Sequence, residues 1–145
     1  MAESEVLAQV PTLSAFAELT PALMLDALDS VGQCCDGRIL QLNSYENRVI
    51  QAHRDDGSAF VAKFYRPGRW SDDQILQEHA FALELAQEEV PVVPPLTLNS
   101  NSTPLLGESA TLAFCQGHRF AVFARRAGRG PELDDLDVLT WIGRF

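Results

Sequence analysis

Lys63 stands inside an otherwise apolar strand pattern, Ala59-Phe60-Val61-Ala62-Lys63-Phe64-Tyr65, and it is the only lysine in 145 residues. An ammonium group in a central strand needs something to hold, because leaving it desolvated and unpaired costs several kcal/mol. About fifteen residues later Glu78 falls one helical turn from Ile75, Ala82 and Leu85, an acid set in an apolar stripe that also needs a partner. A strand lysine held by a helix carboxylate offers a point charge and three donors, which suits the phosphates of a nucleotide. On residue types and spacing alone the alternatives are a structural ion pair or a Glu78 that reaches solvent.

Strand alternation puts Val61, Lys63 and Tyr65 on one face and Phe60, Ala62 and Phe64 on the other. One face can therefore set a small apolar side chain against a base while Lys63 reaches its phosphates.

These residues need elements to position them. Thr20-Pro21 reads as an N-cap followed by proline at the first helical position, with Met24, Leu25, Leu28 and Val31 as the apolar stripe and Gly32 as the stop. Residues 1–18, with weak periodicity, read as a lead-in segment. Strands are expected at Gly37 to Leu42, Arg48 to Ala52 and Ala59 to Tyr65, the last two joined through Asp55-Asp56-Gly57. Ser71 and Gln74 make a capping-box signature for a helix running to about Glu88. Pro91 to Leu96 is extended and residues 99–108 are a polar loop. Strands follow at Thr111 to Cys115 and Arg119 to Ala124. A linker rich in glycine and arginine leads into a last helix, beginning near Glu132 or Asp137 and still running at Phe145. The fold class is α+β: a five-stranded antiparallel sheet with one helix inserted after strand three, preceded by a helix. That is the layout of a kinase small lobe. It assigns residues 19–124 to the lobe and 125–145 to a hinge and the beginning of a second lobe.

Several other motifs carry less. No G-x-x-x-x-G-K-S/T and no G-x-G-x-x-G occurs. Asn43 to Asn47 lies where a kinase places its glycine-rich loop but contains no glycine; Ser44 and the asparagines can still form a tight turn and donate hydrogen bonds. His53-Arg54-Asp55 spells a kinase catalytic-loop triplet, yet it precedes Lys63, and the position where an asparagine should follow holds Phe60. It is a hairpin turn. His79 and His118 have no second ligand at helical or strand spacing and read as structural. Arg125, Arg126 and Arg129 read as a solvated linker face. Cys34, Cys35 and Cys115 form no C-x-x-C pair and suit reduced thiols.

Net charge is −9, from 20 acidic and 11 basic side chains, which argues against a nucleic-acid partner. No apolar run reaches a membrane-spanning length, and the acidic N-terminus has no signal-peptide pattern, so a cytoplasmic location without membrane association is expected.

Three stretches together resemble one family: Asn43-Ser44-Tyr45-Glu46-Asn47-Arg48-Val49, Val61-Ala62-Lys63-Phe64-Tyr65-Arg66-Pro67-Gly68-Arg69-Trp70, and Glu78-His79-Ala80-Phe81. They are similar to the stress response kinase A (YihE/RdoA) family of bacterial serine/threonine protein kinases, whose fold is like that of aminoglycoside phosphotransferases and choline kinases. The resemblance runs from about residue 15 to 145. It implies ATP as ligand, with Lys63 on the phosphates and paired with Glu78. Ser44, Tyr45 and Asn47 would lie over the phosphates, and Val49 and Val61 would line the adenine pocket. Phe123 would back that pocket, and the backbone of Ala124 and Arg126 would hydrogen-bond the base at the hinge.

The resemblance also implies what these residues do not supply. The catalytic base and the Mg2+ ligands of such kinases belong to a second lobe, so Mg2+ is expected only with that lobe. Transfer to protein serine or threonine is expected of the full-length kinase and not of this chain alone. Trp141, Ile142 and Phe145 would be covered by the second lobe or by a partner. The competing readings are a non-catalytic nucleotide-binding or kinase-docking module and a piece of a small-molecule kinase.

Overall fold

Local chemistry sets where the first elements begin and end in the computed structural model, which describes residues 15–100 and 102–144. The Thr20 hydroxyl accepts a hydrogen bond from the Leu23 amide, and helix α1 runs Pro21–Ser30. Gly32, at φ +85°, then turns the chain away. Strands β1 (Cys35–Leu42), β2 (Arg48–Arg54) and β3 (Ala59–Phe64) form a meander. The β2–β3 turn is closed by the Asp56 carboxylate, which accepts from the Ser58 amide at 2.8 Å, and by Gly57 at φ +86°. Helix α2 (Asp72–Gln87) starts in a complete capping box: Ser71 accepts from the Gln74 amide, and the Gln74 side chain accepts from the Ser71 amide.

Strands β4 (Leu105–Leu106), β5 (Leu112–Cys115) and β6 (His118–Ala124) complete an antiparallel sheet of order β1-β2-β3-β6-β5-β4. It has six strands where five were expected. The addition, β4, lies inside the segment read as a polar loop. Leu105 pairs with Ala113 and Leu106 with Leu112, and each leucine packs on a different face of the sheet. A two-residue strand leaves no periodicity to detect. Helix α3 (Leu136–Ile142) stops at Gly143, short of the expected continuation; Phe145 lies outside the described residues.

One sheet face carries Ile50, Ala52, Phe60, Ala62, Phe64, Phe120 and Val122 against Met24, Ala27 and Leu28 of α1. Phe16 and Leu19, inside the segment read as a lead-in ending at residue 18, join this core. The rest of that lead-in, residues 1–14, lies outside the described residues. The opposite face is covered only in part. There α2 packs Ile75 and Leu76 over Leu112, Ala121 and Tyr65, and the β1–β3 portion stays open. Among the described residues no helix is long and apolar enough to cross a membrane.

Candidate functional site

Strand register builds the open face. Residues paired across antiparallel strands point to the same side. Leu42 pairs with Val49, Val49 with Lys63, and Lys63 with Ala121, which makes one row; Leu40, Gln51, Val61 and Phe123 make the next. The rows lie about 7 Å apart, two residues along a strand. Val49, Gln51, Val61, Lys63 and Phe123 are all half-buried, so the face is a shelf with apolar side chains beside one ammonium group.

Lys63 Nζ stands 3.5 Å from Glu78 Oε1 and 4.8 Å from the centre of the Tyr65 ring. The lysine side chain is 23% exposed and the glutamate 61%. Glu78 is therefore not inside the apolar stripe of its helix, as the spacing implied. The buried positions of α2 are Ile75 and His79, and Glu78 sits at the stripe's edge. The contact is long for a charge-assisted hydrogen bond, which leaves the ammonium with donors to spare on the open side.

The loop after β1 lies at the same end of the sheet as Lys63, because Val49 is level with that lysine. Its second half is tied down. Asn47 Oδ1 accepts from the Arg66 amide at 3.1 Å, and Arg69 pairs with Glu46 at 2.9 Å, holding that carboxyl below its usual range. Ser44 and Tyr45 are exposed, Tyr45 at 94%. Ser44, Tyr45 and Asn47 line a concavity with Phe16 and Leu42 that does not include Lys63; the Leu42–Val49–Lys63 row runs between loop and lysine. At the other end of the shelf Ala124 closes β6 opposite Phe60, and Arg125 and Arg126 are exposed beyond it. Arg125 Nε reaches back to Gln51 Oε1 at 3.1 Å. His53-Arg54-Asp55 forms the end of β2 and its turn. Among the described residues no three His, Cys, Asp or Glu side chains are grouped to hold a metal ion.

What the sequence reading missed lies directly behind the shelf. His79 is 1% exposed and bonded on both nitrogens, Nε2 to the Tyr65 hydroxyl at 2.8 Å and Nδ1 to Thr111 Oγ1 at 2.8 Å. Thr111 is in turn 3.0 Å from the Ser109 hydroxyl. Phe123 meets the His79 ring edge-on, with centroids 6.4 Å apart. The available signal was the Ile75-His79-Ala82-Ala86 spacing, which fits a helical stripe as well as one containing Glu78.

Burial pushes His79 below the usual histidine range, with Glu78 opposing and Lys63 adding to the shift; burial does the same for His118, opposed by Glu18. Burial, then Asp29, pushes the Cys35 thiol up to about 12. The histidine shifts fix a pH dependence. Acidification through about pH 6.5 protonates these rings in the unfolded chain before the folded one, so stability is full above that pH and falls below it. The melting temperature should be level between about pH 7 and 8 and drop toward pH 5.5, and His79→Gln should flatten part of that slope. A wild-type profile that rises on acidification over this range would contradict the burial of both rings.

Residues 38–145 match the phosphotransferase enzyme (APH) family. Over 130 residues, 90% of this chain, the sequence is 45% identical to serine/threonine protein kinase RdoA of Salmonella typhimurium and to stress response kinase A of Escherichia coli (strain K12). The chain spans 37% of the length of these relatives. Among solved structures, amicoumacin kinase hAmiN in complex with AMP-PNP, Ca2+ and Ami matches with a TM-score of 0.62 at 19% identity, over 83% of this chain and 35% of that one. That likeness is one of fold, and it is the fold of a kinase. With the family match extending over most of the sheet and helix α2 beside the shelf, the chain belongs to the phosphotransferase enzyme family.

Proposed function

We propose that the chain is the ATP-binding lobe of a bacterial stress-response serine/threonine protein kinase. The observation that carries this is Lys63, half-exposed on the open sheet face, 3.5 Å from Glu78 and level with the loop after β1. Val49 and Val61 would lie against adenine with Phe123 behind it, and the backbone of Ala124 and Arg126 would bond its edge. Lys63 would take the phosphates under Ser44, Tyr45 and Asn47. The Salmonella typhimurium relative at 45% identity is named a serine/threonine protein kinase, which favours a protein serine or threonine hydroxyl as acceptor. The fold neighbour was solved with AMP-PNP and Ca2+, which favours a nucleotide with a divalent cation, Mg2+ in the cell. The metal would neutralise phosphate charge on a chain whose own net charge is −9. Residues 125–145 would form the hinge and the entry to the second lobe, which would supply the base and the metal ligands. A lobe without them positions ATP but stabilises little of the transition state.

The solitary lysine makes the test direct. Labelled with 15N-lysine, the chain should show one Nζ signal, and Mg-ATP should shift it saturably. The same chain should transfer no γ-phosphate to itself or to any protein, whereas the native-length gene product should do so. No ATP-dependent shift at millimolar nucleotide, or phosphotransfer by the 145 residues alone, would overturn the reading.

A further inference from the structure

Glu78 cannot fix its own position. It is 61% exposed, and a solvated ion pair at 3.5 Å contributes little to holding a helix in place. The roll of α2 is set by its two buried residues, Ile75 and His79. Ile75 packs without directionality; His79 does not. Its Nε2 is bonded to Tyr65, the residue just after β3, and its Nδ1 to Thr111, the residue just before β5, so the helix is pinned beside two strands that flank β6. Tyr65 has a second task, since its ring lies 4.8 Å from the Lys63 ammonium. One buried side chain thus locates the lysine with its face and the helix with its hydroxyl.

We propose that Tyr65 and His79 are positioning residues that bring Lys63 and Glu78 together for the phosphates of ATP. The proposal rests on the reading of the shelf as a nucleotide site. It assigns work to a pair that does not touch the ligand. The pair's burial requires satisfied hydrogen bonds in any case, so the test must separate positioning from stability.

Calorimetric Mg-ATP affinities of the 145-residue chain do so, measured well below the melting temperature of every variant. Tyr65→Phe keeps the ring and removes the hydroxyl. It should weaken binding about fivefold, as should Glu78→Gln, and the double variant should stay within about twofold of Glu78→Gln, because the hydroxyl acts through that carboxylate. His79→Leu should behave like Tyr65→Phe, and His79→Gln, which keeps a polar group at the Nε2 position, should recover most of the affinity. A purely structural role would lower melting temperatures without this coupling. Wild-type affinity in both Tyr65→Phe and His79→Leu, or losses that multiply in the double variant, would overturn the proposal while Lys63→Met still bound weakly. If the wild-type chain bound no Mg-ATP, or Lys63→Met bound it equally well, the site reading itself would fall and the proposal with it.

Discussion

Lys63→Met should weaken Mg-ATP binding by about 10- to 100-fold while lowering the melting temperature by no more than about 8 °C. The two halves of this expectation have separate causes. The ammonium makes one long contact to an exposed carboxylate, an arrangement worth about 0–1 kcal/mol to the fold. Its position over the Tyr65 ring adds about 0.5–1 kcal/mol. Methionine replaces the aliphatic stem with a side chain of similar volume, so the packing term is nearly conserved. Against the phosphates the loss is larger. Hydrogen bonds to charged groups contribute about 1.5–3 kcal/mol, and each 1.4 kcal/mol is tenfold in affinity. Lys63→Arg retains the charge but places a planar fork where a compact ammonium fits, and should fall between the two. Titration calorimetry reads all three, since the methionine variant has no lysine signal to follow. Affinity within threefold of wild type would remove Lys63 from the phosphate site and leave it a structural ion pair.

The parts of this fold that could be read from sequence are those whose cause is local. Thr20-Pro21, Ser71 with Gln74, and Asp56-Gly57 act within four residues, and each sits where its chemistry requires. Lys63 was legible for a different reason: one ammonium in an apolar strand has few physical explanations. What stayed hidden depends on distant partners. His79 bonds to residues 14 and 32 positions away, and no window of sequence contains both. The roll of α2 follows from those bonds. Glu78 and His79, about 100° apart around the helix, were therefore interchangeable as stripe members until tertiary contacts chose the histidine. Leu105–Leu106 forms a strand only because β5 offers it an edge. Phe16 enters the core because His118 and Arg48 give its ring a place to lie, at 6.4 Å and 5.3 Å.

Phe120→Ala should lower the melting temperature by about 6–20 °C, the largest stability effect we expect on β6. Phe120 is fully buried, stacked on Phe64 with centroids 5.2 Å apart, in the cluster that joins α1 to the sheet. Emptying such a site costs about 3–5 kcal/mol, a large share of the 5–15 kcal/mol that holds a domain of this size folded. For a chain of this length each kcal/mol moves the midpoint by about 2–4 °C. The same strand supplies the contrast. Phe123, three positions on, has the opposite orientation: it is half-buried, faces the shelf in the row of Val61, and touches His79. Phe123→Ala should cost less than half as much stability yet weaken Mg-ATP binding, whereas Phe120→Ala, assayed below its lowered midpoint, should bind nearly as wild type. The two phenylalanines thus test the alternation that places Lys63 on the ligand face. A Phe120→Ala midpoint within about 3 °C of wild type would put that ring outside the core. The face assignment of β6 would then reverse, and the row containing Lys63 and Ala121 would turn inward with it.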